Sequence, residues 1–177
     1  MGMAATTRKV KIPEGVTVRI EGNLVKVQGP KGMLMREMYY PKVSLAIADR
    51  EMTITTESER KKILAVCGTF AAHLQNMCTG VTKGYQYRMK VVYSHFPIQL
   101  KIAGDRIEVG NFLGEKRSRF ARIEKDVKVA LGSDEVTITG IDKESVGKTA
   151  ANIEHATRIR ERDPRVFQDG VYTVERA

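Results

Sequence analysis

Gly147, Lys148 and Thr149 lie near the end of the stretch VTITGIDKESVGKTAANI (residues 136–153), after a strand-like run and at the start of helical periodicity. A phosphate-binding loop sets its Gly-Lys-Thr triplet in that order. Such a loop needs G-x-x-x-x-G-K-[ST], because open glycine backbone lets N–H groups close around phosphates while the lysine reaches their far side. Counting back from Gly147, the first glycine belongs at 142, which is Asp, and Gly140 lies two residues too early. A carboxylate there would put negative charge at the mouth of an anion nest. The same residues describe a strand, a turn and a helix, with Asp142 as N-cap and Glu144 in the first turn, where the helix dipole favours an acid.

Other catalytic constellations are missing from the sequence. His73, His95 and His155 are scattered, and no His-x-x-x-His, Cys-x-x-Cys or Gly-x-Ser-x-Gly occurs. Cys67 and Cys78 stand eleven apart on one helical run, too far for a local bridge or a metal clip, and read as reduced core thiols. No enzyme, cofactor, metal or small-molecule substrate is expected. Gly29-Pro30-Lys31-Gly32 fits the G-x-x-G clamp of a KH module, but a KH loop joins helices. Here alternating runs flank it (LVKVQ, MLMREM), so it reads as a tight strand-to-strand turn with a lysine at its tip.

The remaining chemistry is cationic. Thirty Lys and Arg against 21 Asp and Glu give a net charge of +9, which suits a polyanionic partner. KRSRFARIEKDVK gathers Lys116, Arg117, Arg119, Arg122, Lys125 and Lys128, and RIRERDPR supplies Arg158, Arg160, Arg162 and Arg165. Guanidinium forks hold phosphate oxygens at two points and stack on bases, as lysine cannot. A solvated face laced with ion pairs through Glu161 and Asp163 is the competing reading. Membrane is the other polyanion, yet the longest apolar runs, such as ILAV at 63–66, are too short to span a bilayer.

The elements that must position these charges come in duplicate. VTVRIEGNLVKVQGPKG (16–32) aligns with IQLKIAGDRIEVGNFLG (98–114) at a constant offset of 82, each an alternating run, a Gly-Asn or Gly-Asp turn and a second alternating run. That is one hairpin, written twice. Each copy is followed by a strand (MTITT, VTITG) and a helix, with Ile63, Cys67, Phe70, Leu74 and Met77 on one face of the first and Val146, Ala150, Ile153 and Thr157 on one face of the second. The expected fold is α+β, two tandem repeats over 1–82 and 83–177, each an antiparallel sheet with one helix on one face, with the boundary near TGVTKG (79–84). Pro164 ends any helical continuation, so RDPRVFQDG should be a loop.

The tandem hairpins, the GPKG turn, NFLGEK and above all GIDKESVGKTAANI resemble the family of large-subunit ribosomal protein six, in the branch shared by archaea and eukaryotes, over essentially the whole chain. The resemblance implies a structural protein of the large ribosomal subunit on cytoplasmic ribosomes, with neighbouring large-subunit proteins as partners. It implies that the second domain grips 23S-type rRNA beside the sarcin-ricin loop, near the docking region of translational GTPases, with no nucleotide bound. Carried onto matching positions, the RNA-facing candidates are Lys143, Lys148, the basic loop with Lys116, Arg117, Arg119 and Arg122, and Arg158, Arg160, Arg162, Arg165, Phe167 and Gly170. Bacterial members end in P-x-x-Y-K-G-K-G-I, whereas this chain has Pro164, Phe167, Gln168, Asp169, Gly170 and Val171. Both lysines are missing, so that loop's contacts do not transfer and the terminal arginines are the candidates to replace them. A stand-alone RNA chaperone, binding varied RNAs, is the alternative.

Overall fold

The computed structural model describes residues 6–48, 50–94, 96–163 and 165–177; His95 and Pro164, named above, lie outside the described residues. Contacts divide the chain into two compact units that meet in sequence at Gly84 and Tyr85.

The first unit runs β1 (Thr6–Lys11), β2 (Thr17–Glu21), β3 (Leu24–Gly29), β4 (Gly32–Glu37), β5 (Val43–Ala48), β6 (Glu51–Thr56) and α1 (Lys61–Thr82). Its strands form two antiparallel sheets, ordered β2-β3-β4 and β1-β6-β5. Alternation decides which side faces the helix: Val25 and Val27 of β3 and Met52 and Ile54 of β6 are buried, and the residues between them point away. Ile63, Cys67, Leu74, Met77 and Val81 of α1 close the core from the other side. Burial pushes both cysteine thiols above their ordinary pKa, as expected of inert core thiols. The helix continues through the first four residues of TGVTKG, with Gly80 and Val81 buried. It ends where Lys83 and Gly84 both donate to the Thr79 carbonyl and Gly84 takes φ 77.

The second unit repeats the pattern: β7 (Tyr85–Val92), β8 (Gln99–Ala103), β9 (Arg106–Gly110), a 3-10 turn at Phe112–Gly114, β10 (Arg119–Arg122), β11 (Val127–Leu131), β12 (Glu135–Gly140), α2 (Lys143–Ala156) and β13 (Gly170–Arg176). β2 and β8 coincide at the offset of 82, and Gly22 and Gly104 turn the two hairpins at φ 61 and φ 63. The sheets are β10-β9-β8 and β11-β12-β7-β13. Two of the differences between the copies bear on the arginine clusters. β13 lies antiparallel on the outer edge of β7, whereas no described strand lies on the equivalent edge of β1. The GPKG turn is replaced by residues 111–118, in which Asn111, Leu113 and Gly114 take φ 55, 52 and 76. Left-handed backbone costs about 1–2 kcal/mol per non-glycine residue. Phe112 and Leu113, both buried, offset that by filling the core of the unit.

Candidate nucleic-acid interface

The start of α2, where a nucleotide phosphate would sit, is filled by the protein itself. The Asp142 carboxylate accepts from Glu144 N at 3.3 Å, Ser145 N at 3.0 Å and Ser145 Oγ at 2.6 Å. Thr149, the hydroxyl of the Gly-Lys-Thr triplet, is fully buried, donating to Ser145 O at 2.8 Å and accepting from Glu124 N at 3.1 Å. Lys148 pairs with Glu124 at 3.0 Å. Gly140 is glycine because α2 packs close: a Cβ there would meet Val146 Cγ2 at 2.8 Å. The motif is thus a capped helix packed tightly on β12. Among the described residues no three His, Cys, Asp or Glu side chains are grouped to hold a metal, and no helix is long and apolar enough to cross a membrane.

At the other end of α2 the last carbonyls need donors. Arg119 supplies them across the fold, through Nη1 to Ala156 O at 3.0 Å and to Arg158 O at 2.8 Å. Its guanidinium lies 4.4 Å from the centroid of the buried Phe112 ring and is gripped by Glu115, whose Oε2 accepts from Nε at 2.9 Å. NFLGEK is therefore an arginine socket, one wall aromatic and one anionic. The Glu115 carboxyl is held below its ordinary pKa by the Arg119 hydrogen bond first, with partial burial opposing, and then by the charges of Arg119, Arg162 and Arg160. The socket and the terminal arginines therefore share one electrostatic neighbourhood.

Beyond the socket the chain leaves the helix with its arginines outward. Arg158, Arg160, Arg162 and Arg165 are exposed; Arg162 stacks over the Phe167 ring at 4.9 Å and Arg165 lies 3.8 Å from Asp163. The loop is pinned from beneath. Buried Asp169 accepts from Ser94 N and Oγ, both at 3.1 Å. Thr157 Oγ1 accepts from Val171 N at 3.1 Å while donating to Ile153 O, and Glu154 accepts from Thr173 N at 2.8 Å. Val92, His155, Arg158, Phe167 and Tyr172 border an open cleft of about 830 Å³ beside the arginines.

The sequence candidates thus separate into three groups. Arg158, Arg160 and Arg162 are exposed around the socket, and Lys116 and Arg117 are exposed on the loop that forms it. Lys143, 5.7 Å from the Tyr85 ring centroid, starts α2 roughly 20 Å from its other end at 1.5 Å per residue, and Lys148 stands mid-helix, roughly 12 Å from that end. Arg119, Phe167 and Gly170 have internal work: Arg119 caps α2, Phe167 packs on the core, and a Cβ on Gly170 would meet Tyr172 Cζ at 2.9 Å. They shape the surface from within. Arg119 and Arg122, read in sequence as loop residues, begin and end β10, and Arg122 O accepts from Asn152 Nδ2 at 2.9 Å. Sequence reasoning missed β13 and the Asp169 and Thr157 anchors; the β-branched and aromatic run Val171-Tyr172-Thr173-Val174 was the available signal.

The family model described as Ribosomal protein L6 matches residues 12–84 and again 96–170, one match in each unit. A relative from Methanospirillum hungatei, named large ribosomal subunit protein uL6, is 59% identical over 170 residues, covering 96% of this chain and 97% of its own. Proteins of the same name from Methanothrix thermoacetophila and Methanobrevibacter smithii are 53% and 47% identical over 169 and 173 residues, covering 96% and 98% of this chain and 96% and 97% of their own.

Proposed function

The chain belongs to the ribosomal protein L6 family, structural and non-enzymatic components of the ribosome, and from that premise we propose that its second unit binds large-subunit rRNA through the arginine surface at the end of α2. One observation supports this above the others: the Arg119 socket fixes the backbone from which Arg158, Arg160 and Arg162 project. Pre-ordered guanidinium groups can meet phosphates without first losing loop entropy. Phosphate contacts position a protein on RNA by shape and carry little base information, as suits an A-form helix whose deep groove side chains cannot read. The finer placement, beside the sarcin-ricin loop near the docking region of translational GTPases, follows from the family resemblance, as do rRNA and neighbouring large-subunit proteins as partners on a cytoplasmic ribosome.

The test is a salt titration of the full chain on an rRNA fragment containing the sarcin-ricin region against an unrelated duplex of equal length. Preference for the fragment at physiological salt is expected; equal binding to both would make the protein a general RNA chaperone. Replacing Arg158, Arg160 and Arg162 together by Ala should weaken binding and flatten the slope of log K against log salt by roughly 2–3, at about 0.9 per lost phosphate contact. Unchanged affinity and slope would remove these residues from the interface.

A further inference from the structure

The outer face of the β8-β9-β10 sheet carries chemistry that the arginine surface does not use. Side chains alternate along β10, so Ala121 is buried in the core while Phe120 and Arg122 point the other way, and Phe120 is 58% exposed. The register sets Phe120 opposite Glu108 and Glu108 opposite Lys101; the next row is Arg122, Arg106 and Ala103. Strands lie about 4.8 Å apart and successive rows about 7 Å. An exposed aromatic ring therefore stands among Lys101, Arg106 and Arg122, with exposed Lys116 and Arg117 on the loop feeding its strand.

We propose that Phe120 is a stacking platform for an unpaired RNA base, a contact separate from the arginine surface and resting on the RNA-binding reading above. The ring supplies a π-face that any base can cover, and the flanking cations supply the attraction for its phosphates. Glu108, the sole acid in the two rows, is half-buried and directs the sugar-phosphate strand toward Arg122 rather than over itself. A duplex cannot use such a platform, because its bases are already stacked; a loop or bulge can. Protein partners are disfavoured because interface cores are depleted of charge, whereas here every residue of the two rows except Phe120 and Ala103 is charged. The first unit provides an internal control. Met35 takes the matching register, opposite Lys26 and then Arg19, and is 57% exposed, but a thioether has no planar face to stack on.

The experiment compares the full chain with Phe120→Ala, Phe120→Leu and Phe120→Trp on a short single-stranded RNA carrying 2-aminopurine, whose fluorescence is quenched by stacking, and on duplex RNA of equal length. Phe120→Ala should weaken single-strand binding by roughly fivefold or more and abolish the quench. Phe120→Trp should retain both, and Phe120→Leu, apolar but without a π-face, should behave as Ala. Duplex binding should be unchanged in all three. Single-strand binding by Phe120→Ala equal to the parent, or Leu matching Trp, overturns the platform. The triple arginine variant reads the other surface: loss of its duplex binding with an intact quench supports both sites, and loss of the quench there but not in Phe120→Ala overturns this one.

Discussion

The two units solve the same problem at the same joint with different parts. In each, the connection leaving the second hairpin strand reaches the end of the helix and brings a basic side chain to its carbonyls. In the first unit Lys31 donates its backbone N–H to Val81 O at 2.9 Å and its Nζ to Lys83 O, from a turn of two residues between Gly29 and Gly32. In the second, residues 111–118 build a socket for Arg119, which caps Ala156 O and Arg158 O. The first joint is closed and local, and Gly29 is pressed so near Val81 that a Cβ would meet Cγ2 at 2.6 Å. The second is longer, holds its cation inside, and leaves Lys116, Arg117 and the terminal arginines facing outward. A structural joint, lengthened, becomes a candidate binding surface.

Arg119→Met should separate the joints most sharply. It keeps the packing on Phe112 but removes charged hydrogen bonds to two carbonyls and orphans Glu115, a loss of roughly 3 kcal/mol in urea denaturation. Lys31→Ala, at an exposed position, should cost no more than about 1 kcal/mol. Equal losses would mean the socket is no stronger than the turn. Next in size is Gly29→Ala, which overpacks the first joint and should cost about 2 kcal/mol. Gly110→Ala, whose Cβ meets Gln99 Cβ only at 3.7 Å, should be tolerated, and similar unfolding midpoints for the two variants would contradict the close approach at Gly29.

Acid should distinguish the joints more gently. Because Glu115 is held below its ordinary pKa in the folded protein, its contribution is fully present above the unfolded value of about 4.3 and fades as pH falls through the lower folded value. The Glu115→Gln variant should therefore lose less stability than the parent over that acid window, read from urea midpoints. Parallel acid profiles would show that the Glu115 grip does not survive in solution.

The hairpins, the buried stripes of both helices and the Asp142 cap were legible because each rests on local periodicity or a fixed short spacing. The arginine cluster was legible as charge but not as architecture. Nothing local tells Arg119 from Arg117: the first bonds carbonyls 37 and 39 residues away, and the second is exposed. Phe167 and Gly170 read as surface for the same reason, since their roles depend on how β13 returns to the sheet. The boundary expected near TGVTKG falls on residues that the structure uses as the last turn and cap of α1.

The pairing of β13 with β7 also sets a schedule. Gln86 and Ala177 exchange backbone hydrogen bonds at 3.0 and 2.9 Å, so the sheet begun at Tyr85 is completed by the latest-made strand of the unit. Residues of the first unit find all their strand partners before that point in synthesis. On a ribosome adding about 5–20 residues per second, the first unit can fold while the second is still emerging. The second must wait for β13, and its Thr157 and Asp169 anchors cannot form until then. The arginine loop would thus gain these anchors only once β13 has emerged, which limits the time a partly made second unit could spend presenting it to nascent RNA.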